Sequence, residues 1–253
     1  MSTDTTCMSA SSTVSPAPLI TFALFAYNQE KFIREAVEGA LSQTYEPLEI
    51  ILSDDCSTDE TFAIMQEMVA AYRGPHRVRA VQTPHNLGVV QHVLLRGREA
   101  AGNIVVLAAG DDVSLPERVA RHVPCYGDPK VWAVSTGFAL IDEDSQQVDE
   151  NVTILKGQIA HRVRIGDPTY FRVLPAGYTT IQGSTASYRK QVFDLVKIDG
   201  CAPYAEDQLF TFLIHAVGHH VDYISEPLMH YRIHANALSN IPVNGRDWRN
   251  EEI

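Results

Sequence analysis

Three acidic pairs are the residues of this chain best placed to do chemistry. Asp54-Asp55 closes the apolar run Ile50-Ile51-Leu52, Asp111-Asp112 follows Gly110 behind Ile104-Val105-Val106-Leu107, and Glu206-Asp207 opens a helix-like stretch far downstream. The two apolar runs read as strands buried on both faces of a parallel sheet, and in open α/β sheets ligands sit outside the carboxyl ends of such strands. Acidic pairs at those ends are costly unless something cationic binds there. A hard divalent cation that also takes the oxygens of a phosphorylated ligand is the guest they suit. The third pair has a plainer use as well, because acidic residues at a helix start complement the macrodipole.

The elements that must position these groups alternate along the chain. Residues 19–26, 49–54, 78–82 and 103–108 read as extended, and 30–43, 59–72 and 89–101 as helical. That is a βαβ series, which implies a parallel sheet. Ser57 and Glu60 form an S-x-x-E capping box, and Gly102 occupies a helix C-cap position before the fourth strand. Beyond Pro116 the pattern gives a short helix to residue 123, a strand over 131–138, a polar stretch over 142–167 without periodicity, a helix over 205–216, and extended segments at 220–224 and 228–231. Residues 1–18 read as a flexible tail, 19–240 as one domain, and 241–253 as a tail or the start of a truncated segment.

Composition excludes several classes. A chain of 253 residues, 45% hydrophobic and 20% charged, is an ordinary globular protein with one sizeable core. Its net charge of -11, with no Lys/Arg run, argues against a nucleic-acid partner. Cys7, Cys56, Cys125 and Cys201 make no C-x-x-C pair and read as free thiols in a reducing cytoplasm. No segment approaches the roughly 20 apolar residues that cross a bilayer, and the start lacks a signal-peptide pattern. No G-x-G-x-x-G follows a strand, so a dinucleotide dehydrogenase is rejected; a sugar-nucleotide pyrophosphorylase would need a Gly-rich basic loop where Phe25-Ala26-Tyr27-Asn28 stands.

The motifs Phe25-Ala26-Tyr27-Asn28-Gln29-Glu30, Ser42-Gln43-Thr44-Tyr45, Ser53-Asp54-Asp55-Cys56-Ser57-Thr58-Asp59-Glu60-Thr61, His85-Asn86-Leu87-Gly88, Gly110-Asp111-Asp112, Gly183-Ser184 before Arg189, Glu206-Asp207, and Tyr231-Arg232-Ile233-His234 with Ser239 keep an order and spacing that closely resemble family-2 glycosyltransferases. The resemblance covers nearly everything from Leu19 to Asn240. It implies a GT-A fold: a Rossmann-like, mostly parallel sheet flanked by helices, with a nucleotide-binding half at 19–115 and a smaller acceptor-binding half at 116–240. It also implies an inverting reaction that moves a sugar from a nucleotide-diphosphate donor, a UDP-sugar, to a hydroxyl of a glycan or lipid-linked acceptor, with Mn2+ or Mg2+. Such an acceptor can lie on a membrane, which places the chain in the cytoplasm or at the inner face of the membrane, in polysaccharide or cell-envelope assembly.

By that resemblance Asp55 reads the base with Phe25 and Tyr27 beside it, Asp111 lies toward the ribose, Asp112 and His234 hold the metal, Gly183, Ser184 and Glu206 line the donor or acceptor sugar, and Asp207 is the catalytic base. The chemistry is coherent. A pyrimidine needs a flat face and an acceptor for its ring N–H, which an aromatic side chain and a carboxylate at adjacent strand ends supply. A base within hydrogen-bond reach of the acceptor hydroxyl takes its proton as it attacks the anomeric carbon. Many relatives carry another Asp where Ala109 stands, so the metal motif is a shortened form. Arg118 and Arg232 are cations that can approach phosphate. Plainer uses stand beside these: Asp55 and Ser57 as helix caps, Gly-Asp-Asp as a turn, and the whole chain as a catalytically silent nucleotide-sugar-binding or regulatory module.

Overall fold

The structure is a computed structural model that describes residues 17–148, 181–197 and 206–237. Residues 1–16 of the expected first tail, all of the expected last one, the polar stretch after residue 148, the first residue of the 205–216 helix, Cys7, Cys201 and Ser239 lie outside the described residues.

Four strands, β1 (Ile20–Ala26), β2 (Leu48–Asp54), β3 (Arg77–Gln82) and β4 (Ile104–Ala109), alternate with α1 (Ile33–Leu41), α2 (Thr61–Ala71) and α3 (Val89–Glu99). They pair in parallel in the order β3-β2-β1-β4. Every position of β2 is buried, as expected of a strand covered on both faces. Because β1 sends its chain to β2 on one side and pairs with β4 on the other, a topological switch lies between β1 and β4. The register levels Ala26 with Asp54 and Phe25 with Ala109, so Tyr27, Asp55 and Gly110-Asp111 leave the sheet at one carboxyl edge.

The rest of the sheet is mixed. A two-residue strand β5 (Val113–Ser114) and helix α4 (Arg118–His122) precede the long β6 (Val131–Ile141); β7 (Ala186–Arg189), α5 (Gln191–Leu195), α6 (Glu206–Ala216) and β8 (His220–Arg232) follow. β7 runs antiparallel to β4 and β6, β8 runs parallel to β6, and β5 pairs antiparallel with β8 at the far edge. β5 lies close against α1, where a Cβ on Gly39 would come within 2.8 Å of the Ser114 carbonyl oxygen. The end of β8 thereby returns beside the loop that follows β4.

Three local expectations are corrected. The capping box does not form: Glu60 occupies the N-cap position without a side-chain bond, and Asp59 instead accepts from the Thr61 N–H at 3.0 Å. Gly102 is no C-cap, since α3 ends at Glu99; a Cβ there would stand 2.5 Å from the Thr21 nitrogen, and the Gly102 N–H donates to Thr21. The extended segments at 220–224 and 228–231 are the straight halves of one strand, divided by a register shift opposite Gly137 that accommodates Pro227.

Candidate functional site

The loops after β1 and β2 interlock. Asn28 Oδ1 accepts from the Thr58 N–H at 2.9 Å, the Asn28 N–H donates to Ser57 Oγ at 2.8 Å, the Gln29 N–H donates to Thr61 Oγ1 at 2.8 Å, and the Glu30 N–H donates to Asp59 Oδ2 at 3.1 Å. Both loops turn through left-handed backbone, at Asn28 with φ 51° and at Cys56 with φ 63°. Asp54 is wholly buried and holds this clasp from beneath, accepting from the Ser57 N–H and hydroxyl and from the Gln82 amide.

Asp55 is also buried, and its carboxylate pins the loop that follows β3. Oδ1 accepts from the Thr83 hydroxyl and the Leu87 N–H, and Oδ2 from the Gly88 N–H, each at 2.9 Å. This gives His85-Asn86-Leu87-Gly88 its physical meaning, because the turn at Gly88, φ 75°, aims two backbone donors at one carboxylate. Thr83 was not singled out from the sequence. Beside Asp55, Tyr27 is 46% exposed at the end of β1, while Phe25 packs edge-on against His92 with ring centroids 5.0 Å apart. His92 bonds Ser53 at 2.6 Å, and burial lowers its pKa to about 4, so the imidazole is neutral near pH 7.

After β4 the two acids face different ways. Gly110 is required there, since a Cβ would collide with Gln29 and Ala26. Asp111 Oδ2 lies 2.9 Å from His234 Nε2, and the His234 ring rests on Phe32. Asp112 turns inward: Oδ1 accepts from the Arg232 N–H at 2.9 Å, while Oδ2 is buried without a hydrogen-bond partner among the described residues. Burial, with the Asp111 charge adding to it, raises its pKa well above the carboxylate range. The structure therefore brings His234 to Asp111 and not to Asp112.

Neither arginine that sequence offered as a phosphate contact is available for one. Arg232, 1% exposed, donates to the Asp111 and Asp142 carbonyls, to Ser145 and to Glu35, at 2.8 to 2.9 Å. Arg118 is wholly buried and donates to Ser114 and to the Leu107 and Ser184 carbonyls. Both guanidinium forks tie loops of the site to the sheet.

The single turn Gly183–Thr185 bridges the second and third acidic pairs. Ser184 faces Asp112, and the Gly183 N–H donates to Asp207 Oδ2 at 3.2 Å. Gly183 has no room for a Cβ, which would strike the Glu206 carboxyl. Burial, then the Asp207 charge, pushes the Glu206 pKa up to about 8. Near pH 7 Glu206 is therefore largely neutral, leaving its neighbour as the pair's charged member. Phe25, Tyr27, Asp55 and Asp111 thus gather at the carboxyl edge, with Asp112 and Ser184 linking them to Gly183, Glu206 and Asp207.

This architecture is shared with nucleotide-sugar enzymes of known structure, and the fold is GT-A. A mannosyltransferase from Pyrobaculum calidifontis, solved with GDP-Man and Mn2+, superposes with a TM-score of 0.66 at 18% identity over 87% of this chain and 59% of that one. S. aureus TarS 1–349, solved with UDP-GlcNAc, gives 0.62 at 19% identity over 88% and 61%. The profile described as "Glycosyl transferase family 2" matches residues 21–196, and the chain belongs to that family of transferase enzymes. A Haemophilus influenzae protein named as an uncharacterized glycosyltransferase is 26% identical over 235 residues, 88% of this chain and 68% of that protein. The putative glycosyltransferase EpsH of Bacillus subtilis is 25% identical over 229 residues, 87% and 62%. The chain spans about three fifths to two thirds of these proteins' lengths.

Proposed function

We propose that the chain is the catalytic domain of an inverting, metal-dependent glycosyltransferase that moves a sugar from a UDP-sugar to a hydroxyl of a glycan or lipid-linked acceptor. The observation that carries this is the convergence of Asp55, Asp111, His234 and, through Gly183, Asp207 along one edge of the sheet. No helix among the described residues is long and apolar enough to cross a membrane. A peripheral place at the inner face of the membrane belongs to the proposal, as do the cell-envelope acceptor and the cytoplasmic side.

The donor set fits a divalent cation. Asp111 Oδ2 and His234 Nε2 stand 2.9 Å apart, a carboxylate oxygen and an imidazole nitrogen between which an ion can replace a proton. Among the described residues no cluster of three or more His, Cys, Asp or Glu side chains could hold a cation alone, so phosphate oxygens and water would complete its shell. We therefore exchange the roles expected from the sequence: Asp111 with His234 would hold Mn2+ or Mg2+, and Asp112 is the buried anchor beneath, tied to the Arg232 N–H. When bound there, the ion would supply positive charge that neutralises the donor diphosphate.

The protein's own groups do the rest. Tyr27 offers an exposed aromatic face for the base, and Asp55 accepts from the base. Asp207 takes the proton of the attacking hydroxyl in a single displacement; neutral Glu206 keeps that charge on Asp207 and can donate to a sugar oxygen. Isothermal titration of a panel of nucleotide sugars, with and without Mn2+, tests the reading: metal-dependent binding supports it, and its absence for every donor contradicts it.

A further inference from the structure

The neighbouring folds were solved with guanine and uracil nucleotides, so fold alone leaves the base open. The occupancy of Asp55 narrows it. An ionised carboxylate has about four acceptor sites. The Leu87 N–H takes one on Oδ1, and the Gly88 N–H, shared with Asn86 Oδ1, takes one on Oδ2. Thr83 Oγ1 lies 2.9 Å from both Asp55 Oδ1 and the His85 carbonyl, but it has one proton to give. The charge-assisted bond to the carboxylate is the stronger, so the hydroxyl fills the second site on Oδ1. One site remains, on Oδ2.

We propose that Thr83, by occupying Asp55, is a specificity-determining residue that makes this a site for a base presenting a single ring N–H, as uracil does, and disfavours guanine. Guanine presents N1–H and N2–H side by side and is best met by both carboxylate oxygens at once, for which Oδ1 has no room. The donor left unmatched in a partly dry pocket costs affinity. Space exists where the base must approach: a Cβ on Gly88 would meet nothing within 4 Å, and Tyr27 is exposed on the strand next to Asp55. Thr83 itself is buried, 2% exposed, so it acts through Asp55 and not by touching the ligand.

This inference rests on the nucleotide-sugar reading, and titrations of UDP and GDP into the full chain with Mn2+ separate the two. Wild type is expected to bind UDP about tenfold or more tightly than GDP. Thr83→Val, which keeps the side-chain shape, is expected to bring GDP to within a few-fold of UDP, and Thr83→Ser to restore the preference. GDP binding as well as UDP in wild type, or an unchanged preference in a folded Thr83→Val, overturns the inference while leaving a nucleotide site intact. If neither nucleotide binds, the functional reading falls with it. Should Thr83→Val unfold, the wild-type ratio and Thr83→Ser still decide: loss of the preference in Thr83→Ser counts against the hydroxyl.

Discussion

Asp54 and Asp55 at the end of β2, and Glu206 and Asp207 at the start of α6, are adjacent acidic residues in opposite circumstances. Each carboxylate of the first pair accepts three hydrogen bonds from the protein. In the second pair the described donors to Asp207 are the N–H groups of Gly183 and Gln208, and burial drives Glu206 toward its neutral form. Donors let the first pair act as a fixed framework that shapes loops. On the proposed reading the second serves as an acid beside a charged base, the state proton transfer needs.

The largest effect that would break this contrast belongs to Asp207→Asn. Sugar transfer is expected to fall by about 10²–10⁴-fold with donor affinity retained, measured by initial rates alongside titration. Transfer at the wild-type rate would remove Asp207 as the base. Next is Arg232→Met, which removes the guanidinium bonds to Glu35, Ser145 and the Asp111 and Asp142 carbonyls while leaving the Ser145–Glu35 bond in place. Denaturant unfolding should register a loss of roughly 1–3 kcal/mol; no measurable loss would deny Arg232 its tying role.

Glu206→Gln sharpens the second half of the comparison through pH. Folding raises the Glu206 pKa from 4.5 to about 8, so the folded state holds a proton that the unfolded state has lost. Stability from this group is present below the unfolded value and falls as pH rises between those two values. Thermal unfolding of Glu206→Gln should therefore show a shallower decline with pH than wild type across that window; parallel curves would mean Glu206 titrates normally. The smallest effect is Ser57→Ala, which cuts one bond each to Asp54 and Asn28 and should cost about 1 kcal/mol in denaturant unfolding; no loss would deny the clasp its part in stability.

The parallel half of the fold was legible because its strands are uniform apolar runs and its helices are periodic. Acidic pairs at the ends of those runs pointed to the carboxyl edge, where the candidate site gathers. Roles within it were less legible, since they depend on which way a side chain turns. Asp111 and Asp112 are adjacent in sequence, yet only the register of β8 decides that His234 meets the first and the Arg232 N–H the second. Arg232 and Arg118 looked like phosphate contacts because sequence cannot show that backbone carbonyls already surround them. Thr83 carried no signal, being an ordinary β-branched residue just past β3 until Asp55 is seen beside it. Capping at Ser57 failed because its hydroxyl is engaged by Asp54 and Asn28.

The central claim, that the carboxyl edge is a metal-dependent nucleotide-sugar site built on Asp111 and His234, is tested most directly by calorimetric titration of UDP-sugars into wild type and Asp111→Ala, each with and without Mn2+. Binding by wild type that requires Mn2+, and its loss in Asp111→Ala, is the predicted result. Metal-dependent binding that survives unchanged in Asp111→Ala, or no metal-dependent binding by wild type to any UDP-sugar, would contradict it.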